Sequence, residues 1–573
     1  MSVRIKYSDI AIGAKEEFEV EAEGYLSASN LSLLKQDFAE YTRYDTPLDL
    51  NSMLLDGESK FLPESAGEAS VAYISEQISN DVGDFEEPIS MVFVASSKYI
   101  SSGITLNFDG VKGLYATRVK IEWYGDNELI NEKNFYPDSV VYFCNEKVEF
   151  YDKISITFYS MNLPYSRLIL NAIEHGMRVD FGGNELRSAK IIQEIDPISA
   201  SVPVNPFDFS IDSKKNIDFS FQTKQPIEVY FNNKLRALCF VKSANRRSKT
   251  IWDIRAEDYI GLMDSIPFAG GIYENKNATE LIAEIFLAAK IPYNILSGMD
   301  GKMVSGYIPY TNCREALMQV CFATQTVADT SNSDVVNIYA LSHDVSQLID
   351  KSRIMQGQRI EDFTRVTSVQ LTAHAFVEVS ETITAYDASK SGYGDGIFVS
   401  FTEPLHDLYI DNGEIIESGV NYAVINASND SCILNGQKYK HLKTIKTKNN
   451  PRVLSTDIEN VVSIYDATLV SANNVDDVLD SCYNYIATTE QAKMKIVDGK
   501  HREKPKSSKY GESKYGEALY GVSSVDVIVP HTPTSVGDLI EYETALSTVK
   551  KGRIIRQSFS LGGGILIKDS VVR

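Results

Sequence analysis

The feature that most constrains this chain is a change of hydrophobic period between residues 225 and 342. From Ile227 to Phe231 apolar and polar residues alternate, the chain turns at Asn232-Asn233, and alternation resumes through Leu238-Cys239-Phe240-Val241. A period of two places one face of a pleated strand on a core, so two such runs about a tight turn predict an antiparallel hairpin. Thr250 to Ala256 predicts a further strand, with Trp252 and Ile254 opposite Ile251 and Asp253. Beyond Glu257 the spacing becomes helical through Tyr259-Ile260-Gly261-Leu262-Met263 and is stopped by Pro267 and Gly270-Gly271. Asn277 with Glu280 three residues on, and Asn312 with Glu315, read as the caps of two more helices. Behind the first cap Leu281, Ile282, Ile285, Phe286 and Ala289 share a stripe; behind the second, Ala316, Leu317, Val320, Cys321 and Thr324 do. Val335 to Tyr339 adds a closing strand. This order predicts a small antiparallel unit, a barrel, running into helices whose apolar faces need covering.

Length and composition widen that picture. The chain has 573 residues, which on general grounds suggests about three to five domains. Its 32 Tyr and 25 Phe, with abundant Val and Ile, suit half-buried pleated surfaces. The expected class is therefore mainly β (α+β) and multidomain: a β-sandwich, small antiparallel β-barrels and a few amphipathic helices. Cys144, Cys239, Cys313, Cys321, Cys432 and Cys482 lack the close pairing of zinc or redox motifs and are expected to be free thiols, as in a reducing cytoplasm. The start, MSVRIKYSDIAIG, has no secretory apolar core, and no apolar run is long enough for a membrane-spanning segment. The net charge is −22, of which residues 1–90 supply −13 from 19 acidic and 6 basic side chains. Phosphate contacts need clustered Lys and Arg, so sequence-specific nucleic-acid binding is not expected.

The organisation along the chain follows from these patterns. Residues 1–70 read as an acidic N-terminal arm or cap with one clear strand in FEVEAEGYL. Residues 71–185 carry short strands at near-regular spacing, including Ile104 to Phe108, Thr117 to Trp123 and Ile154 to Phe158, which suggest an eight-stranded-type sandwich. A first barrel is expected at 186–262, a helical or mixed domain at 263–360, and a β domain at 361–450 with Val369, Leu371 and Ala373 on one strand face. Residues 451–522 are read as a helix from Val475 to about Lys495, capped by Asn473 or Asn474, followed by a solvated loop in which Tyr-Gly-Glu nearly repeats from Tyr510. A second barrel is expected at 523–573, around Val536-Gly537-Asp538, Gly552 to Ile555 and Phe559.

Chemistry is sparse. No nucleophile elbow, phosphate loop or metalloprotease helix occurs, and none of the seven histidines lies at helical ligand spacing from another, so no catalytic residue, cofactor or metal is expected. Gly392-Tyr393-Gly394-Asp395-Gly396 lacks the strand-turn-helix frame of a phosphate cradle and reads as a loop; Gly562-Gly563-Gly564 reads as a hairpin turn. Arg236, Lys242, Arg246, Arg247, Lys249 and Arg255 form a basic group with only Trp252 among them. Nucleic-acid binding would need interleaved aromatics, so Arg236, Arg246, Arg247, Lys249 and Arg255 are read as a solvated face or a subunit interface. Trp123 shares a face with Val119 and Ile121 and should be buried, which leaves Tyr124 as the candidate glycan contact.

Four segments, KSANRRSKTIWDIRAEDYIGLMDSIPFAGGIY, NATELIAEIF, YIPYTNCREALMQVCFATQTVADTSNSDVVNIYAL and VGDLIEYETALSTVKKGRIIRQSFSLGGGILIKDSVVR, resemble in order and phrasing the tail hub proteins of bacteriophages and prophage particles, including trimeric baseplate hub and late-control-type tail proteins. The resemblance spans roughly residues 185–573. It implies a non-enzymatic homotrimer at the tip or baseplate of a virion tail, made in the host cytoplasm, joining a hexameric tail tube to trimeric tip components. Its partners would be the tail tube, distal tail proteins and the tape-measure protein. SSGITLNFD, IEWYGDNELI, FYPDS and ITFYSMNLPYSRLIL resemble discoidin-like, galactose-binding-type sandwiches. That resemblance implies an alternative, a carbohydrate-binding adhesin that recognises host cell-wall glycan for host attachment. The resemblance also disfavours a peptidoglycan-cutting enzyme, since hub relatives that cut usually carry a separate appended hydrolase domain.

Overall fold

Strands dominate, as the many aromatic and branched side chains favour, and most of them pair antiparallel. The computed structural model describes residues 3–22, 73–108, 113–183, 185–214, 219–231, 233–349, 359–362, 366–487, 492–496, 527–528, 534–543, 549–561 and 565–572. The molecule is mainly β with few helices and several sheets.

The largest sheet has 14 strands. Its path runs from Arg359–Asp362 through Ala492–Ile496, Ile565–Val572, Val549–Leu561, Leu186–Glu194, Pro206–Asp212, Ile251–Glu257, Lys234–Arg246, Pro226–Phe231 and Val3–Ile10 to Gly176–Gly182. The expected hairpin is present, with Ile227 opposite Cys239 and Val229 opposite Ala237. The two barrels expected at 186–262 and 523–573 are corrected by this connectivity. Among the described residues neither closes on itself, and both belong to one sheet because Leu186–Glu194 has two usable edges. One edge pairs with Pro206–Asp212; the other pairs with Val549–Leu561, setting Ala189 opposite Leu561, Ile191 opposite Phe559 and Gln193 opposite Gln557.

Residues 3–10, placed by the sequence in an acidic arm or cap, form a strand of this sheet, paired on both sides. Ile5 and Tyr7 face its core with Phe207, Phe209, Ile227, Val229, Ile254 and Phe559. The inward face of the Val3–Ile10 strand ends on Asp9, which is 1% exposed. Its carboxyl oxygens accept from Tyr7 Oη at 2.9 Å, Ser220 N at 3.0 Å and Gln225 Nε2 at 2.9 Å, so a polar group enters the core with hydrogen-bond partners on both oxygens. The rest of the acidic arm, residues 23–70, lies outside the described residues.

Where a sandwich was expected, Tyr73–Ile74, Asp84–Phe108, Ala116–Gly125, Glu128–Phe135, Val141–Met161 and Ile169–Glu174 join Glu19–Ala22 in one hydrogen-bonded sheet of seven strands. Its two longest strands have 25 and 21 residues and pass through register shifts at Val94/Tyr99 and Ser101/Gly103, where bulges bend them. Bending lets one ribbon cover both sides of a core containing Trp123, Tyr151 and Phe158.

The two capped helices form as their sequence dictates. Asn277 Oδ1 accepts from Thr279 N at 2.9 Å at the start of Ala278–Ala289, and Asn312 Oδ1 from Glu315 N at 2.8 Å at the start of Cys313–Thr324. Both apolar stripes are buried, against each other and against Val202, Ile308 and Ile338. The third helix is shorter than expected: it spans Val475–Ile486, and Ala492–Ile496 is a strand between Arg359–Asp362 and Ile565–Val572. The alternation Ala492-Lys493-Met494-Lys495-Ile496 has a period of two and cannot continue a helical stripe. Neither candidate cap operates there, since Asn474 occupies the cap position but its Oδ1 accepts from Ser471 N at 2.8 Å, outside the helix.

Beyond the helices, Ser368–Asp387 and Ile433–Asn449 form a long ribbon edged by Leu405–Asp411 and Val461–Ser463. A three-stranded sheet of Gly394–Ser400, Tyr422–Ala427 and Gly413–Ser418 lies beside it. All six cysteines are free and buried. The Tyr-Gly-Glu segment lies outside the described residues. Among the described residues no helix is long and apolar enough to cross a membrane.

Candidate functional site

The seam between Leu186–Glu194 and Val549–Leu561 is held by more than backbone pairing. The Arg236 guanidinium lies 4.1 Å above the Phe559 ring, and its Nη2 donates to Gln557 Oε1 at 3.0 Å. Gln193 Nε2 donates to the Arg236 carbonyl at 2.9 Å, and Gln557 is fully buried. Arg236 is thus half-buried inside the chain, a guanidinium stacked on an aromatic face and bound through its fork.

Arg246, Arg247 and Lys249 lie at the turn joining the Lys234–Arg246 and Ile251–Glu257 strands, and Lys242 and Arg255 lie farther along those strands. Arg246 sits 4.9 Å over the Trp252 ring and its Nη2 donates to the Lys249 carbonyl at 2.8 Å. Arg247 pairs with Asp253, Arg255 lies 3.9 Å from Asp208, and Lys242 pairs with Glu257. Arg246, Arg247, Lys249 and Arg255 are exposed, with Arg246, Arg247 and Lys249 at the turn between the two strands and Arg255 opposite Ser243 along them, whereas Arg236 is half-buried at the seam. Each such surface pair is worth no more than about 1 kcal/mol, which leaves the group available to an acidic neighbour.

In the seven-stranded sheet Trp123 is fully buried, as its strand face predicts. Tyr124 is half-buried with Lys153 Nζ 5.4 Å from its ring centroid, so a cation occupies one face of the ring proposed for sugar stacking.

Two polar clusters escape detection in the sequence. At the entry to Tyr259–Met263, Asp258 Oδ1 accepts from Gly261 N at 3.2 Å and Oδ2 from Thr330 Oγ1 at 2.6 Å, while Thr330 in turn accepts from Asn205 Nδ2 at 2.9 Å. Burial raises the Asp258 pKa to about 7, against the opposing bonds from Thr330 and Gly261, and burial raises nearby Asp329 to about 6.

The second cluster is on the long ribbon, where His374 stands opposite Lys443 and Phe376 opposite His441. His374 Nδ1 is 2.8 Å from His441 Nε2, and His374 Nε2 is 2.8 Å from Asp466 Oδ1. Lys443 Nζ donates to Asp466 Oδ2 at 3.0 Å. Burial lowers the pKa of both histidines against the pull of Asp466, so the imidazoles are neutral near pH 7. An ionised Asp466 must accept from His374 Nε2–H, which makes His374 Nδ1 an acceptor and fixes the His441 proton on Nε2. His441 then offers Nδ1 as an acceptor. Its ring stacks on Phe376, with centroids 4.4 Å apart and planes 13° apart, and Phe376 packs on Tyr307 at 5.0 Å. Tyr307, Phe376, Tyr439 and His441 line a cleft of about 560 Å³, whose polar lining includes Glu403 and Lys440. The histidines are 67 residues apart, so only the register of the two strands reveals them. Among the described residues no group of His, Cys, Asp and Glu could hold a metal ion.

No family model matches this chain, and no curated protein matches it. Among solved structures it is similar to the tail protein from Neisseria meningitidis MC58, with a TM-score of 0.41 and 11% identity over 69% of this chain and 94% of that one. It is also similar to the 43 kDa tail protein of prophage MuSo2 from Shewanella oneidensis, at 0.40 and 9% over 69% and 94%. Prophage tail protein gp18 from Listeria monocytogenes EGD-e is a further match, at 0.36 and 10% over 68% and 91%. None of these likenesses carries a residue's role to this chain.

Proposed function

We propose that this chain is a non-enzymatic structural hub subunit of a phage or phage-like tail, acting at the tip or baseplate of the virion. The observation that carries the proposal is the in-register seam between Leu186–Glu194 and Val549–Leu561, which joins β units from distant parts of the sequence into one sheet. That sheet ends, among the described residues, on Gly176–Gly182 and Arg359–Asp362, each paired on one side only. Open edges expose unpaired backbone groups and favour completion by a neighbour. The sequence resemblance to tail hub proteins adds the stoichiometry: three copies, each with two β units, would face a hexameric tube with six similar surfaces. The tail tube, distal tail proteins and tape-measure protein are the partners this reading names, and the exposed group at Arg246, Arg247, Lys249 and Arg255 is its candidate contact with an acidic neighbour. The mass of the purified chain in solution tests the reading. A particle of three times the 63.9 kDa chain mass is expected, alone or with a tube subunit added. A species that stays monomeric under both conditions refutes it.

A further inference from the structure

We propose that the cleft beside the Asp466–His374–His441 chain is a binding site for a neutral saccharide, distinct from the seam and the basic group that serve assembly. Three observations converge on that ligand class. The first is shape and lining: about 560 Å³ with an aromatic wall of Tyr307, Phe376, Tyr439 and His441. Such a volume is that of a small-ligand site, and rings of this kind accept the C–H face of a pyranose.

The second is the balance of charge. Glu381 and Lys438 on the cleft wall neutralise each other at 3.2 Å, and Glu403 and Lys440 supply one further charge of each sign. An anion would meet Glu403 and a cation Lys440. A hydroxyl, which both donates and accepts, can use either.

The third is the hydrogen-bond chain. Asp466, Lys443 and His374 form no part of the cleft lining; they act as positioning residues that fix the His441 tautomer. The chain from Asp466 to His441 spends the His441 Nε2 proton on His374, and Nδ1 has no protein partner among the described residues. His374 is 2% exposed and His441 is exposed, so their hydrogen bond satisfies the buried ring and holds the solvent-facing one to one tautomer. What the pair provides at the cleft is an oriented acceptor on a stacked ring, suited to one hydroxyl of a bound sugar.

Isothermal titration of the full-length protein with chitotriose, cellotriose and maltotriose tests this, with inorganic phosphate as the charged comparator. Saturable binding of at least one trisaccharide and none of phosphate is expected. Glu403→Gln, at an exposed position, should weaken that binding tenfold or more with an unchanged melting temperature, and Tyr439→Ala, at a half-buried one, should weaken it as much at temperatures where the variant stays folded. Tyr124→Ala should leave it unchanged. In the free protein, nitrogen chemical shifts should show His441 protonated on Nε2, and His374→Gln should abolish that preference and weaken binding. Absence of binding by all three sugars, affinity indifferent to both cleft variants, or loss through Tyr124→Ala instead would overturn the proposal. None of these outcomes bears on the mass measurement that tests the hub reading.

Discussion

Asp258 shows how far a single residue can tie the fold to solution conditions. Its carboxyl is 1% exposed, and its folded pKa of about 7 lies well above the ordinary carboxylate value. Between roughly pH 4 and pH 7 the unfolded chain releases a proton that the folded chain keeps. Stability from this group is therefore complete below the lower value and is lost as pH rises toward 7, by at most about 4 kcal/mol. Asp258→Asn removes that titration while keeping the shape. Urea midpoints at pH 5 and pH 7.5 should fall for the wild type and fall less for the variant; equal slopes would show that Asp258 is ionised throughout. Gly176 makes a second residue-scale case. With φ at +139°, a Cβ there would sit 1.9 Å from the Asp9 carbonyl oxygen, so backbone must move. Gly176→Ala should cost more than about 2 kcal/mol. Gly392→Ala, at φ +95° with nothing within 4 Å, should cost about 1 kcal/mol, and thermal melts of the pair separate steric clash from backbone strain.

At the scale of elements, legibility followed the agreement of local signals. The two helices at 278–289 and 313–324 carried cap, acidic first turn and apolar stripe together, and all three are present. Asn312→Ala should therefore cost about 1 kcal/mol, read as a lowered urea midpoint, because the N–H of Glu315 loses its acceptor. A variant as stable as the wild type would mean that water replaces the cap without loss. The Val3–Ile10 strand was hidden although Val3, Ile5 and Tyr7 alternate, because its fourth inward position is Asp9, whose partners Ser220 and Gln225 lie more than 200 residues away. The helix at 475–486 was overextended for the opposite reason: the residues after it have no breaker, and strand pairing with Ile565–Val572 overrides their helical propensity. The cleft was illegible from spacing alone. His374 and His441 meet because a strand register sets them diagonally, and register is a property of the pair of strands rather than of either.

Over the whole molecule, the seam joins distant parts of the chain in one hydrogen-bonded sheet. Phe559, 1% exposed, belongs to the same core as Ile5, Phe207 and Val229, and it packs edge-on to Phe231 at 5.6 Å beneath the Arg236 guanidinium. Truncating it to alanine should cost about 3 to 5 kcal/mol through the cavity it leaves. The location of the loss is more informative than its size. If Leu186–Glu194 and Val549–Leu561 open together, hydrogen exchange of the Phe559→Ala variant should accelerate in both strands and in Pro226–Phe231, more than 300 residues earlier in the chain. Exchange in Asp84–Phe108, which belongs to the seven-stranded sheet with its own core, should stay at the wild-type rate. Acceleration confined to residues 549–561 would instead mean that the C-terminal strands dock as a separate foldon. The seam would then be a contact between two independent units, and it would no longer support a hub whose β surfaces are held rigidly to one another.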